Sequence, residues 1–284
     1  MTDTQNADHA RRWLITGANS GFGIAFARAA LAAGDIVIAG VRRPESMAAL
    51  IAEFPGRITA LRLDVTDAEQ CAQAVKSTVE EHGRIDVLVN NAGFGIVGAL
   101  EETTEDELRN TMEVMFFGAL RLTRLVLPHM RARRSGTIVQ VTSMGGMLAF
   151  PGVSAYCAAK GALELASEAL AGEVAPLGIK VLIVEPGAFR TEFAGPALKS
   201  AHMIEDYEPT VGAVRAGLSG SHGQQPGDPA KAAAALLAAL DLPELPLRLA
   251  LGEDAVTAIR GKLAAVGADL DATAALSLST AIDA

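Results

Sequence analysis

Two cysteines, Cys71 and Cys157, are all that the 284-residue chain contains. So isolated a pair gives neither a disulfide framework nor metal-ligand spacing. It therefore excludes a stapled secreted scaffold, leads us to expect no metal, and points to a reducing compartment, the cytoplasm. Positive charge is also scarce: 24 Lys and Arg against 33 Asp and Glu leave a net charge of −9, which argues against nucleic acid as a partner. The basic cluster of Arg131, Arg133 and Arg134 falls where a helix is expected to end, and there cations offset the helix dipole. Long apolar runs are missing as well. The longest, residues 232–240, is far below the roughly 20 residues of a membrane-spanning helix, so no membrane insertion is expected. The first twelve residues are polar and charged, without the apolar centre of a secretion signal, and residues 1–11 read as a flexible leader.

Aromatics are only 4% of the chain, yet hydrophobic residues reach 50%. A core of Ala, Val and Leu with abundant Gly suits a parallel sheet packed closely between helices. Short apolar segments at 13–16, 36–41, 58–63, 85–89, 137–142 and 179–185 read as strands, with helical patterns between them. Residues 248–251 read as a last edge strand and 255–266 as a last helix. This alternation predicts βαβ crossovers: an α/β fold, a doubly wound parallel sheet of Rossmann type, in a single domain over 12–284. Thr104 to Glu107 forms a capping-box pattern, and Asp228-Pro229 places a capping carboxylate ahead of a proline at the first helical position. The stretch 190–227 is the least regular and reads as a lid or substrate segment; 245–284 reads as a C-terminal extension.

Between the first strand and first helix lies Thr16-Gly17-Ala18-Asn19-Ser20-Gly21-Phe22-Gly23. Glycines there permit a tight turn and close backbone approach to a pyrophosphate, and the helix behind offers unpaired N–H groups. The second strand ends Val41-Arg42-Arg43. An NAD-preferring site usually carries Asp or Glu at this point; two guanidiniums favour a 2′-phosphate, so NADP(H) is expected over NAD(H).

Tyr156 and Lys160 are four residues apart in a predicted helix, which puts them on one face. A phenol with an ordinary pKa near 10 is a poor base at neutrality, and a neighbouring cation draws it toward the working range. Ser143 ends the fifth strand, thirteen positions earlier, where open α/β sheets bind ligands. There it can hydrogen-bond a substrate oxygen.

These residues, with Asp64, Asn90-Asn91-Ala92-Gly93 and Pro186-Gly187, resemble the short-chain dehydrogenase/reductase family over roughly residues 12–191. The resemblance extends to its hydroxysteroid-dehydrogenase-like branch. It implies hydride transfer between a nicotinamide and a ketone or secondary alcohol, with Ser143, Tyr156 and Lys160 as catalytic residues. Tyr156 and Lys160 also hold the cofactor. By the family pattern Asp64 and Val65 line the adenine, while Asn90, Ala92 and Gly93 pack beside the dinucleotide. Pro186, Gly187, Phe189 and Thr191 meet the nicotinamide end. Met144, Met147, Phe150 and Phe193 are expected to line an apolar pocket for a small-molecule carbonyl or alcohol. Family members usually pair through long helices, here 105–131 and 153–175, which implies a homodimer or homotetramer.

One departure stands out. The family's relay asparagine is replaced by Met115, whose thioether cannot donate a proton. Three consequences are open: a main-chain carbonyl alone holds the relay water, turnover is slow, or the chain is a non-catalytic dinucleotide-binding redox sensor. Epimerisation of a nucleotide sugar is a further alternative, disfavoured because such relatives carry a larger C-terminal substrate domain.

Overall fold

The computed structural model describes residues 10–195 and 198–282; residues 1–9 of the expected leader lie outside them. The chain runs β1 (Arg12–Thr16), α1 (Gly21–Ala32), β2 (Ile36–Val41), α2 (Ala48–Glu53), β3 (Ile58–Arg62), α3 (Ala68–His82), β4 (Val87–Asn90) and β5 (Gly95–Val97). It continues through α4 (Glu105–Met112), a π-helical turn (Glu113–Phe117), α5 (Gly118–Arg133), β6 (Gly136–Val141), α6 (Ser154–Val174) and β7 (Ile179–Pro186). The last elements are β8 (Leu198–Ser200), α7 (Ala213–Gly220), α8 (Pro229–Leu240), β9 (Arg248–Leu251) and α9 (Glu253–Leu278).

Seven strands form one sheet in the order β3-β2-β1-β4-β6-β7-β9, every neighbouring pair parallel. Side chains alternate across β1 because the strand period is two. Trp13 and Ile15 enter a core with Phe26, Leu31 and Leu236, under α1 and α8. Leu14 enters the opposite core with Leu88, Leu122, Val126 and Leu170, under α5 and α6. Each such fully buried aliphatic side chain contributes about 1.5–3 kcal/mol. The chain order reverses between β1 and β4, and at such a switch point the loops after the strands splay apart and leave a crevice.

Local signals hold where the chemistry is strong. Thr104 accepts from the Glu107 amide at 3.2 Å while the Glu107 carboxylate accepts from the Thr104 amide at 2.8 Å. Asp228 accepts from the Ala230 amide. Arg131 and Arg133 lie in the last turn of α5, and Arg134 adopts the left-handed conformation that ends it. Three features differ from expectation. The long helix from 105 is interrupted by the π turn at Glu113–Phe117. A second small sheet pairs β5 with β8. The last helix reaches Leu278 rather than residue 266.

Candidate active site

Thr16, at the end of β1, organises the floor of the crevice. Its hydroxyl accepts the Asn91 and Ala92 amides, each at 2.9 Å, and Asn91 Nδ2 donates to the Thr16 carbonyl at 2.9 Å. This ties the loop after β4 to the glycine turn after β1. Gly17 has φ +63°, a left-handed conformation that favours glycine. A Cβ on Gly23 would lie 2.2 Å from the Gly17 carbonyl oxygen, so the first turn of α1 folds directly over the loop. Ser20, at the N-cap of α1, makes no side-chain cap bond, and the first turn carries no acidic residue. The N-terminal amides of α1 are thus left for an anion.

The other wall carries the titratable groups. Ser143, after β6, accepts from the Gly145 amide at 3.0 Å. Lys160 is buried in α6, and its ammonium donates to the Val141 carbonyl at 2.8 Å. That bond aims the lysine back toward the end of β6, with Nζ 5.8 Å from the centre of the Tyr156 ring. Burial pulls the Lys160 pKa from 10.5 down to about 8, opposed by the Glu164 carboxylate. Burial likewise pushes the Tyr156 pKa up to about 12, with a Ser143 hydrogen bond acting in the opposite direction. In the protein alone, then, burial sets the direction, the lowering expected from the lysine does not appear, and Tyr156 holds its proton at neutral pH. Behind Lys160 lie the buried carboxylates of Glu164 and Glu185, both paired with Arg248. One Glu164 oxygen remains without a partner.

The crevice between the walls has a volume of about 270 Å³. Ser143, Tyr156, Lys160, Ser20, Gly21, Phe22, Gly93, Pro186, Gly187, Phe189 and Thr191 all line it. Of the four expected pocket residues, Met144, Phe150 and Phe193 line it and Met147 does not. Phe193 stands edge-on to Tyr156 at 5.3 Å, and Phe22 meets Phe189 at 5.0 Å. Gly17 lies in the turn after β1, Gly23 in the first turn of α1 and Ala92 in the loop after β4. Asp64 and Val65 follow β3; the Asp64 carboxylate accepts from the amide and hydroxyl of Thr66. Arg42 and Arg43 are exposed at the end of β2, with no carboxylate partner among the described residues. Asn19 lies on the rim of the glycine turn.

The Asn90 side chain is buried, its amide donating to Ala119, Thr123 and Gln140, so only its main chain is left to meet a dinucleotide. The next residue, Asn91, is the one that reaches the glycine turn, and adjacency in sequence could not separate the two. Met115 lies in the π turn, buried against Gly93 at the crevice wall. Sequence reasoning missed Ile96, Leu198, Leu218 and Gln225, which also line the crevice. Gln225 is buried with its amide oxygen unpartnered. No motif marks these four, because they come from three distant segments.

A nicotinamide dinucleotide fits these residues. The missing side chains at Gly17 and Gly23 leave a backbone cradle at uncapped helix amides, and the exposed guanidiniums of Arg42 and Arg43 stand at the end of the neighbouring strand. The parallel sheet, the cradle at its switch point and the Tyr–Lys pair facing it define a Rossmann-type oxidoreductase. The short chain dehydrogenase profile matches residues 11–201, and the chain belongs to the short-chain dehydrogenase/reductase family of NAD(P)-dependent oxidoreductases. It is similar to a solved short-chain dehydrogenase from Streptomyces avermitilis, with 52% identity and a TM-score of 0.92 over 99% of this chain and 100% of that one. It is 44% identical to the oxidoreductase BOA17 of Botryotinia fuckeliana, over 86% of this chain and 89% of that protein. It also matches an alcohol dehydrogenase from Thermococcus sibiricus, solved with 5-hydroxy-NADP. There the TM-score is 0.70 and the identity 25%, over 86% of this chain and 96% of that one.

Proposed function

We propose that this oxidoreductase reduces apolar ketones, or oxidises the corresponding secondary alcohols, with NADP(H) in preference to NAD(H). The observation that carries the reading is the convergence of Ser143, Tyr156 and Lys160 on one apolar crevice beside the uncapped N-terminus of α1. The dinucleotide, when bound, supplies or accepts the hydride. Tyr156 gives its proton to the substrate oxygen as charge develops there, and takes one back in the reverse direction. Ser143 donates a hydrogen bond to the same oxygen. Lys160, held by the Val141 carbonyl, lends positive charge to the phenol and a donor to the dinucleotide's ribose.

Met115 supplies no proton relay, so in this reading water reaches Lys160 through main-chain carbonyls. Met115 was the one feature favouring a non-catalytic sensor, and the intact Ser–Tyr–Lys set outweighs it. Arg42, with Arg43, supports NADP(H), because guanidiniums pair with a 2′-phosphate; the Thermococcus enzyme solved with an NADP derivative is consistent with this. Met144, Phe150 and Phe193 with Ile96 and Leu218 make an apolar lining. The unpartnered Gln225 oxygen offers one acceptor for a donor on the substrate. Phe193, Leu198, Leu218 and Gln225 of the 190–227 segment line the crevice, which supports reading that segment as the substrate side. Two free, buried thiols support a reducing cytoplasmic setting.

The test is a panel of hydrophobic ketones assayed with NADPH and NADH, on wild type and Arg42→Ala. NADPH should be the better cofactor, and Arg42→Ala should weaken its binding by about 1.5–3 kcal/mol, the worth of a charge-assisted hydrogen bond. Equal affinity for the two cofactors in wild type would remove the NADP assignment. Turnover confined to small polar substrates would remove the apolar one.

A further inference from the structure

Helix α9 is anchored at its start and bare over most of its length. The Asp254 carboxylate accepts from the Ala188 amide at 2.6 Å, and Ala255 is the one buried residue of the helix. Residues 261–278 project beyond this anchor, about 27 Å of helix at 1.5 Å per residue. Large aliphatic side chains lie open along it: Leu263 is 57% exposed and Leu270 65%, with Val266 also exposed. At about 100° per residue, Val256, Ile259, Leu263, Val266 and Leu270 fall within an arc of roughly 80°. They form one apolar stripe that continues outward from the anchored end.

The charges beside this stripe are arranged to complement themselves. Arg260 and Asp271 border one flank; Lys262 and Asp269 border the other. Residues 260 and 271 are equidistant from the point between Ala265 and Val266, and so are 262 and 269. When two copies of α9 pack antiparallel about that point, like flanks meet. Arg260 then faces the partner's Asp271, Lys262 faces the partner's Asp269, and both contacts recur by symmetry. The isologous geometry of a twofold dimer requires this self-matching. A parallel pair brings unlike flanks together and leaves these charges unmatched. The helix carries four carboxylates against two cations, which disfavours an anionic lipid surface as the cover.

The geometry points to α9 as an antiparallel dimerisation helix whose partner is the α9 of a second copy of this chain. Sedimentation equilibrium of the full chain tests it, with circular dichroism to confirm that each variant is folded. The paired variant Arg260→Asp/Lys262→Asp should weaken self-association at least about tenfold, since it converts four cross-pairs into repulsions worth a few-fold each. Asp269→Lys/Asp271→Arg should do the same, and combining all four substitutions should restore association. Val266→Cys, at the axis, should form an intermolecular disulfide under mild oxidation. Thr273→Cys, far from the axis, should not, and the native cysteines are buried. A wild type that remains monomeric, including one that binds vesicles instead, overturns the proposal. So does an association unchanged by either charge reversal, or one that the four-fold exchange fails to restore.

Discussion

The two walls of the crevice are built by opposite means. On the glycine side the working groups are backbone: amides at the start of α1, a left-handed Gly17, and a Gly23 whose missing side chain lets α1 lie on the loop. On the Tyr–Lys side they are side chains whose proton affinities are displaced by burial, Tyr156 upward and Lys160 downward. The first wall works by shape and does not respond to pH. The second works by charge and does. A substitution on one side should therefore fail as a packing defect, and on the other as a chemical one in a correctly folded protein.

The largest expected effect sharpens that contrast. Tyr156→Phe keeps the ring against Phe193 and removes only the hydroxyl. Turnover should fall by about 10²–10⁴, the usual worth of a general acid–base group, while dinucleotide affinity stays near wild type by fluorescence titration. Lys160→Ala should lose both. If Tyr156→Phe keeps wild-type turnover, the charge-based half of the comparison is wrong.

Gly23→Ala is the converse. The new methyl has no space against the Gly17 oxygen, so the turn must open, at a cost on the order of 1–3 kcal/mol for overpacking. Thermal unfolding should detect this at every pH, with dinucleotide affinity lost alongside. A variant as stable as wild type would mean the turn is not closed by contact.

The smallest effect concerns pH. The Lys160 pKa is about 8 in the fold against 10.5 for a free lysine. Between those values the unfolded chain binds more protons, so stability rises with pH across the window and is lost as pH falls through 8. Compared with Lys160→Met, wild type should gain on the order of 1–2 kcal/mol between pH 8 and 10 in denaturant titrations. Parallel curves for the two proteins would show that Lys160 does not titrate there.

How much of this was legible in the sequence depends on the range of the interaction involved. The alternation of apolar strands and helices is a local pattern, and it located all seven strands of the main sheet to within two residues. The capping box at Thr104 and the proline after Asp228 are local too. The β5–β8 pair escaped because three-residue strands carry no usable periodicity and its members are a hundred residues apart. The π turn escaped because Glu113–Phe117 reads like ordinary helix. The end of α9 was placed too early because its last turns are Ala-rich and bury nothing, so no packing against the body marks where the helix stops. At the site, the motif residues were readable because backbone chemistry constrains them within a few positions of one another. Asn90 and Asn91 were not separable: a strand sends neighbours to opposite sides, and only the end of β4 determines which faces the crevice. Gln225 and Leu218 reach the pocket from a segment that carries no motif.

The Asp254–Ala188 contact has a consequence for where the chain can be cut. Asp254 is the second residue of α9, yet its carboxylate fixes the amide that follows Pro186-Gly187 in the crevice wall. The boundary between the catalytic body and its appendage thus falls inside a continuous helix and not in a linker. Truncation anywhere beyond the first turns of α9 leaves that wall braced, whereas truncation at the loop before it, where a domain border would ordinarily be drawn, removes the brace.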